Sequence, residues 1–207
     1  MVCMPFVVRI QRHPLVLALA ALLSLVYPAS AQIVSVYGTF SPIHISNAVT
    51  GNTTGLNSTY TTGSYWAEGI GGGVTLTPFH LGPASLGLDI RGSKAWGQQS
   101  ADTLLVGVKV GVDPPVLPIK PYIQASGGYL GSRATILYGP AGIAGTSPNQ
   151  GFWAYEILGG LDYKFVPHVD LRLIEIGGGQ GYYRSGATVN PPNISLLTVN
   201  TGVVLHF

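Results

Sequence analysis

Three short stretches place an acid and a base two residues apart: Asp89-Ile90-Arg91, Asp162-Tyr163-Lys164 and Asp170-Leu171-Arg172. Lys109 and Glu156 stand in similar apolar-flanked surroundings. A two-residue spacing puts both side chains on one face of a β-strand. Acids and bases sharing a face can pair with one another, line a polar path, or plug an enclosed space. Other chemistry is thin. His44 and Ser46 could form a base–nucleophile pair, but no third group stands near them in sequence to orient the imidazole. His80, His168 and His206 show no metal-ligand spacing. The runs GGGVTL and GGGQGYY lack the lysine and the strand–loop–helix setting of a phosphate loop. No catalytic residue, metal site or cofactor is expected.

The elements that must hold these residues are strands. In SLGLDIRGS, Leu86, Leu88 and Ile90 alternate with Gly87, Asp89 and Arg91. TLLVGVKVG sets Leu104, Val106, Val108 and Val110 against Thr103, Leu105, Gly107 and Lys109. WAYEILGGLDYKF sets Trp153, Tyr155, Ile157, Leu161, Tyr163 and Phe165 against Glu156, Leu158, Gly160, Asp162 and Lys164. Period-two alternation is the strand signal. One face is aliphatic with aromatic ends; the other is small, polar and charged. Eight strands are expected near 32–40, 64–77, 85–98, 101–112, 119–135, 151–166, 168–184 and 194–207. Short turns (FHLGPA, DPPVLP and Pro167) alternate with longer Gly-, Asn- and Pro-bearing connections, the longest over 41–63. Only the link between the third and fourth strands is also tight.

The amino terminus reads differently. Arg9, Arg12 and His13 precede the apolar run PLVLALAALLSLVYP, and Ala29-Ser30-Ala31 follows it. A basic region, a short apolar core and a small-x-small site predict a secretory signal peptide over 1–31, cleaved after Ala31. The remaining domain, 32–207, has eight Lys/Arg and eight Asp/Glu and is formally neutral. That balance argues against a nucleic-acid partner. Cys3, the one cysteine, lies in the leader, so no disulfide or thiolate metal site is expected beyond it. Charged residues make up 9 % of the chain and mean hydropathy is +0.37. No apolar run past the leader is long enough for a spanning helix. In a bilayer only helices and closed barrels satisfy the backbone. The predicted fold is therefore all-β: an eight-stranded antiparallel up-and-down transmembrane β-barrel preceded by a cleavable signal peptide.

The last strand supports closure. Leu197, Val199, Thr201, Val203, Leu205 and Phe207 share one face, and the chain stops on that aromatic. This strand is expected to pair with QIVSVYGTF and leave no edge exposed. The terminal aromatic on an alternating strand resembles the assembly signal of bacterial outer-membrane proteins. With KPYIQASGGYLG, EILGGLDYKFVPHVDLRLIE and NTGVVLHF, the domain resembles the OmpA-like family of eight-stranded outer-membrane barrels. The resemblance implies a Gram-negative outer membrane, contact with its lipid, and recognition of the last strand, with Phe207, by the assembly machinery. No peptidoglycan-binding domain follows the barrel in this sequence. His44-x-Ser46 resembles the His-x-Ser of lipid A deacylase barrels, but there the pair lies on a late strand beside an acid. Here it falls at the start of the first long loop and is read as coincidental.

Eight strands enclose little more than their own side chains. The inward set is expected to hold Asp89, Arg91, Lys109, Gln124, Glu156, Asp162, Lys164, Asp170 and Arg172 as an ion-paired plug. The alternative is a narrow pore for ions or small solutes. Strict alternation from Arg172 would point Glu175 outward; a one-residue bulge in RLIE would turn it in. Aromatics gather toward both strand ends. Trp66, Trp153 and Tyr155 lie with Tyr65, Trp96, Tyr129, Tyr182 and Tyr183 toward the longer loops; Tyr163 and Phe165 lie with Phe79, Tyr122 and Phe207 toward the turns. They are read as two interfacial girdles. The protein is expected to be monomeric and non-enzymatic, with loop 41–63 offered to an extracellular partner.

Overall fold

The structure, a computed structural model, describes residues 34–54, 57–97, 99–138, 143–146, 150–185 and 193–207. The predicted leader lies outside them. Ten strands are described: β1 (Val34–Phe40), β2 (Ile43–Thr54), β3 (Asn57–Leu81), β4 (Ala84–Trp96), β5 (Gln99–Val112), β6 (Ile119–Tyr138), β7 (Ile143–Thr146), β8 (Gln150–Val166), β9 (Val169–Ser185) and β10 (Ile194–His206).

They close into one eight-stave antiparallel barrel. β1 and β2 are a single stave: both pair with β3 on one side and β10 on the other. The stave is interrupted at Ser41-Pro42, where proline has no N–H to give the ladder. The neighbours absorb the break: Ser41 N–H donates to Gly69 O at 2.8 Å, and Val199 N–H donates to Pro42 O at 3.1 Å. β7 forms a short hairpin with the end of β6. The seam between first and last staves runs from Ser35↔His206 to Phe40↔Thr201, and Phe207 N–H adds one more bond to Val34 O at 2.8 Å.

The turn side is tight. β3 and β4 are joined by Gly82-Pro83, and β8 and β9 by Pro167-His168, with φ of 63° at Gly82 and 69° at His168. On the loop side the segment expected as an open loop, 41–63, is a long β-hairpin. Ile43 and Ile45 continue the inward apolar phase of the stave, and the Thr-rich stretch beyond suits extended backbone. A bulge between Ile45 and Ala48, with Asn47 at φ 63°, re-aims the hairpin. Asn52 and Thr53 then pair in parallel with Leu137 and Tyr138 of β6. β2 and β6 belong to opposite staves of the ring, so the hairpin lies across the loop-side mouth.

Facing follows the alternation. Leu86, Leu88, Ile90, Leu104, Val106, Val108, Ile123, Ile157, Leu161, Val203 and Leu205 are exposed on the outer surface. The inner face is buried and layered. Nearest the loops, Ile43, Ile45, Ala67, Ala95, Ala101, Leu105, Leu130, Phe152, Ala154, Ile194 and Leu196 form an apolar core, with Tyr65 and Tyr183 packed against it. Polar and charged side chains fill the lumen from there to the turns.

Candidate functional site

The polar half of the lumen is the place where this chain concentrates chemistry. At its centre lie three anions and three cations: Asp89, Asp162 and Glu175 with Arg91, Arg172 and Lys109. Asp89 comes from β4, is 1 % exposed, and accepts hydrogen bonds from Thr75 Oγ1 (2.7 Å), Tyr37 Oη (2.9 Å), Gln124 Nε2 (2.8 Å) and Arg91 Nε (3.1 Å). Arg91 spans the lumen. Its Nη1 and Nη2 donate to Glu175 Oε1 and Oε2 at 3.0 and 3.2 Å, a bidentate pair with a residue on β9.

Glu175 is reached because the strand bulges. Leu173 and Ile174 are both exposed on the outer surface, whereas Arg172 and Glu175 are each 1 % exposed. The register with β8 jumps from Leu161↔Ile174 to Asp162↔Arg172, and that with β10 from Asn200↔Glu175 to Gly202↔Arg172. The extra residue restores the inward phase. Glu175 also accepts from Tyr122 Oη (2.5 Å) and Asn200 Nδ2 (2.7 Å). Arg172 Nη1 lies 3.2 Å from Glu175 Oε2 at an angle that makes an ion pair and not a hydrogen bond. Arg172 Nε donates to Asp162 Oδ1 at 3.0 Å, and Lys109 Nζ reaches Asp162 Oδ2 at 3.4 Å.

Two tyrosines frame the cations. The Arg172 guanidinium lies 4.4 Å from the Tyr37 ring centre, and Lys109 Nζ lies 3.7 Å from that of Tyr122. Each ring crosses the lumen above a glycine directly opposite, Tyr37 over Gly73 and Tyr122 over Gly160. A Cβ at either glycine would overlap the ring. Tyr122 was expected in the turn-side girdle; it is buried inside, as its phase with Gln124 dictates. Tyr65 and Tyr183 likewise pack against the inner core instead of the loop-side girdle. Trp66, Trp153, Tyr155 and Phe165 are exposed on the outer face, and Tyr163 is half-buried there.

A second cluster lines the turn-side mouth. Lys120 Nζ donates to Asp170 Oδ2 at 2.7 Å and lies 3.7 Å from Asp113. His206 Nε2 is 2.8 Å from Asp170 Oδ2, and its Nδ1 is 2.8 Å from Ser35 Oγ, which ties β9, β10 and β1 together. Lys164, expected within the buried network, pairs with Asp113 at this rim and is 38 % exposed. Its position near the end of β8 places it beside the turn. These residues line an open cleft of about 420 Å³.

Glu156 stands apart. It is 5 % exposed, receives a hydrogen bond from Thr198 Oγ1, and makes no ion pair among the described residues. It lines a cavity of about 30 Å³ between the network and the apolar core, room for about one or two waters. On the outer surface Ser46 Oγ lies 3.5 Å from His44 Nδ1, and the imidazole packs on Trp66 at 4.9 Å. Among the described residues no carboxylate is hydrogen-bonded to His44, so the pair lacks an orienting acid.

Lys120, His206, Tyr37 and Asn200 were not singled out as network members from the sequence. Tyr37 and Asn200 share the phase of Ser35 and Thr198, so alternation alone could have found them.

No protein-family model matches the sequence, and no curated protein matches it. The fold has solved counterparts. Neisserial surface protein A matches with a TM-score of 0.54 at 15 % identity, over 87 % of this chain and 100 % of that one. The N-terminal β-barrel domain of Pseudomonas aeruginosa OprF matches at 14 % identity and TM-score 0.44, over 84 % and 97 % of the two chains. Ail, the attachment invasion locus protein of Yersinia pestis, matches at 8 % and 0.45, over 84 % and 97 %. The likeness to the first shows the fold, an eight-stranded antiparallel up-and-down β-barrel.

Proposed function

We propose that the chain is a non-enzymatic integral protein of a bacterial outer membrane, exported by residues 1–31. In this reading it is monomeric, with a sealed interior and a structural or surface-binding role. The observation that carries this reading is the division of its surfaces. Exposed side chains along the middle of the strands are mostly Leu, Ile and Val, while inside three buried anions face two buried arginines and the half-buried Lys109. Water would reward the opposite arrangement; a hydrocarbon belt rewards this one. Among the described residues, the lumen is filled toward the loops. The apolar core fills its loop end, and the β2–β3 hairpin pairs across the mouth.

The barrel then serves as a rigid mount for what it carries outside, and the β2–β3 hairpin is the segment best placed to meet an extracellular partner. Phe207 would serve the assembly machinery as the recognised end of the closing strand.

The test is direct. The chain lacking residues 1–31 is refolded into detergent, run on a gel boiled and unboiled, then added to a planar bilayer. A migration shift without current supports the sealed barrel. Steady conductance would replace it with the narrow pore, and solubility without detergent and without a shift would refute the membrane reading.

A further inference from the structure

Eight Lys/Arg belong to the domain 32–207, and five of them are accounted for inside: Arg91, Lys109 and Arg172 in the network, Lys120 and Lys164 at the turn-side mouth. The other three, Lys94, Arg133 and Arg184, are exposed near the loop ends of their strands. Their surroundings differ. Lys94 stands directly opposite Asp102 on β5, and Glu68 lies exposed on β3, so that side mixes signs. Arg133 and Arg184 share the β6–β8–β9 side; Asp102, on β5, is a diagonal neighbour of Arg133 across the β5–β6 pairing but makes no ion pair with it among the described residues. Every described carboxylate on those three strands, Glu156, Asp162, Asp170 and Glu175, is buried inside. Among the described residues neither arginine makes an ion pair.

Beneath them runs an aromatic row. Tyr129 pairs directly with Trp153, and Trp153 with Tyr182, so the three rings stand abreast on adjacent strands. All three are exposed, Trp153 at 53 %. The Arg184 guanidinium sits 4.6 Å from the Trp153 ring centre, which holds its charge at the upper edge of the row. Neighbouring strands are about 4.8 Å apart, so the row is about 10 Å wide, broad enough for sugar rings to pack on and wider than a lone phosphate needs.

We propose that Arg133 and Arg184, above the Tyr129–Trp153–Tyr182 row, bind the phosphate of a phosphorylated glycolipid in the surrounding leaflet. The inference rests on the membrane reading above. In that setting the aromatic row lies at the interface, where such rings are favoured. Arginine hydrogen-bonds phosphate through two parallel N–H groups, which fixes orientation as well as charge. The packing of Arg184 on Trp153 presets one of the two guanidinium groups.

Native mass spectrometry of the refolded barrel in detergent, titrated with bisphosphorylated lipid A, tests it. The heat-modifiable gel shift is recorded first, so loss of the barrel is separated from loss of lipid binding; absence of the shift would sink both readings. Lipid A is expected to bind and its dephosphorylated form to bind far less. Arg133→Ala and Arg184→Ala should each weaken binding about fivefold, and the double variant about thirtyfold, as two interfacial arginines would. Lys94→Ala should leave it unchanged, and Arg184→Lys should lose most of what Arg184→Ala loses, because an ammonium neither stacks on Trp153 as a plane nor bridges two phosphate oxygens. Undiminished binding by the double variant, or equal binding of dephosphorylated lipid A, overturns the proposal. Equal displacement by phosphatidylglycerol overturns the glycolipid assignment.

Discussion

Glu175→Gln is the sharpest perturbation the interior offers. The substitution keeps size and shape and removes one negative charge from three facing three. It also breaks the hydrogen bonding. Oε1 accepts from Arg91 Nη1 and Asn200 Nδ2; Oε2 accepts from Arg91 Nη2 and Tyr122 Oη, with Arg172 Nη1 alongside. Whichever way the amide turns, its NH₂ faces an Arg91 N–H that cannot reverse, although the Tyr122 hydroxyl and the Asn200 amide, whose Oδ1 has no partner, can turn to accept. Two guanidinium groups are left with Asp89 and Asp162 alone. Removing one partner of a buried charge pair costs about 3–5 kcal/mol. With a urea slope of about 2 kcal/mol per molar, the unfolding midpoint should fall by about 2 M. The assay is urea unfolding of the refolded barrel in lipid vesicles, followed by tryptophan fluorescence and by gel migration. Glu156→Gln is the internal contrast. Its carboxylate receives Thr198 and faces no ion-pair partner, and glutamine preserves an acceptor, so a change of about 1 kcal/mol or less is expected. Equal midpoints for wild type and Glu175→Gln, or a larger loss for Glu156→Gln, would refute the account of the network as mutually compensating charges.

Other expectations follow from the geometry. Ile157→Arg, at an exposed site midway along β8, should destabilise the barrel by about 2–4 kcal/mol in lipid vesicles; a shift within about 0.5 kcal/mol, as on a water-exposed surface, would contradict a hydrocarbon belt there. Gly160→Ala places a methyl group into the Tyr122 ring and should cost about 1–3 kcal/mol by overpacking, whereas Gly38→Ala, with open space at its Cβ, should not. Deleting Phe207 removes an exposed ring and one seam hydrogen bond to Val34. It should lower the yield of heat-modifiable barrel in cells much more than the stability of barrel refolded in detergent. Cysteines at Asn52 and Leu137, with Cys3→Ser, should oxidise to a disulfide if the hairpin pairs with β6; failure to cross-link would remove the pairing across the mouth.

The parts of the fold that alternation governs were legible. Asp89, Arg91, Lys109, Glu156, Asp162, Asp170 and Arg172 are inward because their strands keep strict period two, and the register follows from the apolar face opposite. Glu175 needed one more inference, a bulge, because strict phase would have put a carboxylate among Leu173 and Ile174. Where the reading departed from the structure, tertiary context was decisive. Residues 41–63 carry the Gly, Asn and Ser of a loop, yet Ile43 and Ile45 stay in phase, and the Thr-rich run beyond is held by β3 and β6. The apolar core was hidden for the same reason. Two of its members sat in the presumed loop, and Ala67, Ala95 and Ala101 read as small strand residues, not as packing for Leu130 and Phe152. Tyr122 shows the limit of counting aromatics by position along a strand: its distance from the turn suggests a girdle, while its parity sends it inward over Gly160.

The layering of the lumen ties these pieces to one physical requirement. A small barrel must fill its interior, and this one divides the filling. Charges on four strands compensate one another across the ring, so the network connects β4, β5, β8 and β9 by contacts that backbone pairing alone does not supply. Such contacts are non-local and directional, and they fix the register of staves whose outward Leu, Ile and Val would look much the same after a two-residue slip. The apolar core above them does a different job. It buries Phe152 and Leu130 against alanines small enough to admit them, and it separates the charges from the loop-side mouth. A conducting path would have to break both layers at once. Loss of Glu175 alone should therefore weaken the barrel without opening it, and a conducting Glu175→Gln barrel would show that the apolar core is no seal.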